Sequence, residues 1–172
     1  LHGDRTISFF ELTESARRAA QGLADLGIGP GDRVALWLPN VPAYPILYLA
    51  CIRLGAIAVA VNTRYRAVEV ADIVGRSGAK VLACAPGFRR IDFLSILADI
   101  EPEALDRLAA IVTVGDEAAS VPAAIERLRR VPFERLLSRP RLGLNNAKAS
   151  APCNIFTTSG TTSAPKFVLH RQ

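Results

Sequence analysis

The chain has 172 residues, half of them hydrophobic and 6% aromatic, with a formal net charge of +5. That length suits one domain burying ~70% of the surface of its unfolded chain, and the apolar content excludes wholesale disorder. The basic residues are scattered in pairs such as Arg17-Arg18, Arg89-Arg90 and Arg129-Arg130 without interleaved aromatics, so no nucleic-acid partner is expected.

Ser8 and Glu11 have the spacing of a capping box, which predicts a helix opening after Ser8. Leu12, Ala16, Ala19, Ala20, Leu23 and Leu26 then share one face, and Gly27 is placed to end it. Residues 29–32 read as a turn, 33–38 as a strand, 43–54 as a second helix and 56–61 as a second strand. A loop over 62–65 leads to a third helix over 67–76, stopping near Gly78, and to a strand over 80–85. Strands alternating with helices predict an α/β fold, a mainly parallel sheet with helices on both faces. Few aromatics and many aliphatics agree with strands buried on both sides. Farther along, 90–100 reads as helix, 110–114 as strand, 122–130 and 133–137 as short helices, and 136–152 as an aperiodic connection. The organisation expected is an α/β subdomain over 1–150 and a strand–loop–strand over 151–172.

Residues 38–61 hold the one stretch that could suggest a membrane span. Pro39, Pro42 and Pro45 break its start and Arg53 and Gly55 interrupt it, so a buried helix and strand are expected instead. The chain begins at Leu1 with no charged-then-apolar leader. Cys51, Cys84 and Cys153 are odd in number, far apart and set in apolar runs, as expected of buried reduced thiols in a cytoplasmic protein. His2 and His170 have no second ligand at metal spacing, so no metal site is expected.

Residues 158–166, T-S-G-T-T-S-A-P-K, carry the most chemistry. A turn rich in hydroxyl and N–H donors, set between the apolar runs 153–156 and 167–169 and closed by a cation, suits a polyphosphate. The Walker A spacing is absent. Gly160 lets the backbone approach phosphate, Pro165 restricts the exit, and Lys166 supplies a point charge.

This string resembles the phosphate-binding signature of the adenylate-forming (AMP-binding) superfamily. The resemblance extends to F-x-E-L, to A-R-R-A-A-Q-G-L-A-D-L-G-I-G-P-G-D-R-V-A-L-W-L-P-N, to R-L-G-A-I-A-V-A-V-N and to S-G-A-K-V-L. It implies a parent acyl-CoA synthetase using ATP, Mg²⁺ and coenzyme A on a small-molecule carboxylic acid. It implies that Thr158, Ser159, Gly160, Thr161, Thr162 and Lys166 contact the β- and γ-phosphates, with Mg²⁺ bridging. It also implies that adenine-, ribose- and acyl-binding parts and a lid lysine lie farther along, so this amino-terminal piece holds no catalytic residue and is expected to be inactive alone. Ser163 and Phe167 stand where the family usually has glycine, and His170 matches no family position. A non-catalytic phosphate-binding module, and an adenylating enzyme with a different acceptor, stay open as readings. So do the acid activated and a homodimeric state.

Overall fold

A computed structural model of the chain describes residues 6–115, 120–158 and 165–171. One seven-stranded sheet organises them in the order β5-β4-β3-β1-β2-β6-β7. The strands are β1 (Arg33–Trp37), β2 (Ile57–Ala60), β3 (Val81–Cys84), β4 (Ala110–Thr113), β5 (Arg129–Pro132), β6 (Pro152–Thr158) and β7 (Lys166–Arg171). Every neighbouring pair is parallel except β6 with β7. The helices are α1 (Phe9–Ala24), α2 (Ala43–Leu54), α3 (Ala67–Ser77), α4 (Phe93–Ala98) and α5 (Phe133–Leu137). This is the α/β architecture that the alternating pattern predicts.

Strand residues alternate between two cores. Val34, Leu36, Ala83 and Val112 join α1, α2 and α5 on one face. Ala35, Trp37, Leu82 and Ile111 join α3 and α4 on the other. A period of two in side-chain direction thus buries both faces of each central strand. Trp37 is fully buried, lies edge-on to Phe93 at 4.6 Å, and donates its Nε1–H to the Asn62 carbonyl at 3.0 Å.

The helix ends follow local chemistry. Ser8 Oγ accepts from the Glu11 N–H at 3.1 Å, and Glu11 Oε2 accepts from the Ser8 N–H at 2.8 Å, completing the capping box. Gly55 and Gly78 end α2 and α3 at φ of 71° and 61°, a region where a Cβ is penalised. Small residues Ala16, Ala19 and Ala20 let α1 lie close to its neighbours. The β6–β7 hairpin belongs to the same sheet as residues before 150.

Two expected helices differ from those observed. The helix expected over 90–100 is confined to α4, because Arg89 and Arg90 have φ of 49° and 60° and Asp92 forms the N-cap, accepting from the Ser95 N–H at 3.0 Å. Over 122–130, a 3₁₀ turn at Ala123–Ile125 precedes strand β5. β5 is an edge strand, which accommodates Arg129 and Pro132, residues a central strand would exclude.

Candidate functional site

Because β1, β2, β3 and β6 run parallel, their carboxyl ends lie along one edge of the sheet. The connection after β1 leads to α2 on one face, whereas the connection after β2 leads to α3 on the other. Diverging loops of this kind leave a crevice beyond the strand ends, the common ligand position in open α/β sheets. A crevice of about 510 Å³ lies there, lined by residues 38–41, 61–64, Arg66 and 88–91, apart from Arg90.

Its polar groups have distinct roles. Asn62 Oδ1 accepts from the Arg64 N–H at 2.9 Å and shapes the loop. Arg66 Nη1 donates to the carbonyls of Thr63, Arg64 and Tyr65 at 3.3, 3.0 and 2.9 Å, tying that loop together. Arg64 and Arg89 are exposed at the crevice, and Arg89 is held in a backbone conformation that costs a non-glycine residue about 1–2 kcal/mol. Strain beside a cationic crevice marks a place where geometry is maintained against local preference. The signals for it, R-Y-R after β2 and F-R-R after β3, are present in the sequence but have no binding motif's spacing.

Thr158 ends β6 on this same edge, and Lys166 opens β7 directly opposite it. Residues directly opposite in an antiparallel pair share a face, so the Thr158 hydroxyl and the Lys166 ammonium project to one side. Both are exposed. Ser159, Gly160, Thr161 and Thr162 lie outside the described residues. Upstream, β6 is fixed against β2 through Ala58↔Asn154 and Val59↔Ile155. Phe167 packs partly into the core beside α3, as expected of a strand residue. His170 is exposed on β7, edge-on to Phe156 at 5.2 Å, on the strand surface.

No cluster of three or more His, Cys, Asp or Glu side chains suited to a metal occurs among the described residues. All three cysteines are buried and unpaired. Desolvation pushes the Cys51 and Cys84 thiols up to about 12, which keeps them protonated and chemically inert. No helix among the described residues is long and apolar enough to cross a membrane.

A profile of AMP-binding enzymes matches residues 1–172. The chain belongs to the AMP-binding enzyme family. It is 30% identical over 178 aligned residues to the human mitochondrial medium-chain acyl-CoA ligase ACSF2, covering 96% of this chain and 29% of that protein. It is 35% identical to a methyl-dioxo-octahydroindenyl-propanoyl:CoA ligase of Mycobacterium tuberculosis, covering 98% of this chain and 32% of that one. Among solved structures, the anthranilate CoA ligase AuaEII in complex with anthranoyl-AMP superposes with a TM-score of 0.82 at 25% identity, over 98% of this chain and 30% of that one. An acyl-CoA synthetase of Brucella canis gives 0.76 at 26% identity, over 96% of this chain and 28% of its own. The chain therefore spans about three tenths of the length of these members of the family.

Proposed function

We propose that this chain is the amino-terminal, triphosphate-gripping portion of an AMP-forming carboxylate–CoA ligase. The observation that carries the reading is Thr158 set directly across from Lys166 at the carboxyl end of β6, at the two ends of a string that resembles the family's phosphate-binding signature. The CoA ligases among its relatives favour coenzyme A over a carrier protein as acceptor.

The reaction proceeds in two displacements. A carboxylate oxygen attacks the α-phosphorus of ATP, the bond from that phosphorus to the bridging oxygen breaks, and pyrophosphate leaves. The thiol sulfur of coenzyme A then attacks the acyl carbonyl, AMP departs with its oxygen, and the thiol proton passes to solvent. In the first step this chain's task is to hold the triphosphate in line and offset the charge that gathers on pyrophosphate. Lys166 supplies a cation, Thr158 to Thr162 supply hydroxyl and N–H donors, and the Arg64 and Arg89 side chains add positive potential along the same edge. Mg²⁺, when bound, would be held chiefly by phosphate oxygens and water, with the threonine hydroxyls as the oxygen ligands this string offers. Three buried, unpaired thiols support a reducing compartment such as the cytoplasm.

Calorimetric titration of the chain with MgATP tests the reading. Lys166→Ala removes charge-assisted bonds worth roughly 1.5–3 kcal/mol, so affinity should fall about ten- to a hundredfold. Equal affinity in the variant would refute the reading.

A further inference from the structure

Beyond Ile155, β6 no longer pairs with β2, so the end of the hairpin bearing Thr158 and Lys166 extends past the body of the sheet with β7 as its strand partner. Among the described residues, the hydrogen bond that ties its exit to the rest of the fold comes from Arg76, in the last turn of α3. Arg76 Nη2 donates to the Pro165 carbonyl at 2.7 Å and to Asp72 Oδ2 at 2.7 Å. The same guanidinium lies 4.3 Å from the centre of the Phe167 ring. Asp72 precedes Arg76 by one helical turn, the favourable order for an ion pair on a helix, and so orients the guanidinium. One nitrogen thus serves two acceptors while the planar guanidinium lies over an aromatic ring, an arrangement that the shorter, compact ammonium of a lysine would reproduce only in part.

The seat of Phe167 also decides where Lys166 points. Adjacent strand residues face opposite sides of a sheet. Phe167 pairs with Thr157 on the α3 face, and Lys166 pairs with Thr158 on the other. A slip of one residue would bring Lys166 beneath Arg76, cation against cation, and turn the phosphate-facing pair inside out. We infer that Arg76 is a positioning residue for Lys166: through the Pro165 carbonyl and the Phe167 ring, it holds the exit strand so that the lysine faces the triphosphate. This inference rests on the phosphate-binding reading of that lysine.

The test is a double-mutant cycle read by the affinity of the chain for magnesium tripolyphosphate. Arg76→Gln should weaken binding about three- to tenfold, and Arg76→Lys should recover only part of that loss. Phe167→Leu, which keeps an apolar side chain without the ring face, should weaken it about two- to fivefold. In a Lys166→Ala background, Arg76→Gln should change affinity by less than twofold, an outcome that a general loss of fold would not produce. Arg76→Gln within twofold of the parent, alongside a large loss in Lys166→Ala, would overturn the positioning role and leave the phosphate reading standing. An undiminished Arg76→Gln effect in the Lys166→Ala background would overturn it as well, because Arg76 would then act without the lysine. If the parent does not bind tripolyphosphate, or Lys166→Ala binds as the parent does, the phosphate reading fails and the positioning role falls with it.

Discussion

Gly75 lies inside α3, where helix propensity alone favours alanine by about 1 kcal/mol. The fold opposes that gain. A Cβ built on Gly75 would sit 2.5 Å from the carbonyl oxygen of Ala104, far inside ordinary contact distance. That oxygen belongs to a 3₁₀ segment, Pro102–Leu105, that has little room to retreat: Leu105 is buried, and Arg127 Nη2 donates to the carbonyls of Leu105 and Pro102 at 3.2 and 3.4 Å. Overpacking typically costs 1–3 kcal/mol, and a backbone obstacle held at both ends argues for the upper half of that range, about 2–3 kcal/mol. Subtracting the propensity gain leaves Gly75→Ala destabilised by about 1–2 kcal/mol, a fall in Tm of roughly 3–6 °C for a chain of this size. Urea unfolding followed by emission of the single, buried Trp37 measures it directly. Gly143→Ala, where nothing lies within 4 Å of the added carbon, is the control and should change little. A Gly75→Ala chain with an unchanged or higher urea midpoint would show that the α3 contact is looser than argued.

Three further outcomes follow from the same structure. Asp92 is held below the usual carboxylate range by hydrogen bonds from the Ser95 N–H and hydroxyl, so its contribution is complete above its unfolded value and is lost as pH falls through the lower folded one. Asp92→Ala should therefore cost about 1 kcal/mol at pH 7, and the gap between its urea midpoint and that of the parent should begin to narrow as pH falls below about 4. Cys51 and Cys84, fully buried, should resist alkylation in the native chain at pH 8 and react on unfolding, as mass spectrometry would show; rapid native labelling would contradict their burial. The chain alone should catalyse no ATP–pyrophosphate exchange, since it spans about three tenths of its full-length relatives; measurable exchange would refute the division of parts proposed above.

The elements legible in the sequence are those whose signal is local and redundant. Ser8 with Glu11, the glycines 55 and 78, and the unbroken apolar runs of the central strands each point to the element found. Strand β5 was hidden because an edge strand needs only Val131 to face inward, and R-R-V-P offers no alternation to detect. The break before α4 was hidden because positive φ at Arg89 and Arg90 opposes residue preference. At the site, Thr158 and Lys166 were singled out by the chemistry of their string and its family resemblance, and the structure sets them opposite each other. Arg76 was not, because its partners Pro165 and Phe167 meet it only once β6 has joined the sheet.

The seam between β2 and β6 has a consequence for biosynthesis. Ala58 and Val59 leave the ribosome long before Asn154 and Ile155 arrive to pair with them. Until then the outer rim of β2 offers bare peptide groups to any extended segment nearby, including another nascent copy. Nascent chains from which β6 has not yet emerged should therefore show far more chaperone capture and insolubility than chains whose residues through 171 have cleared the ribosome, because in those the hairpin can close that rim.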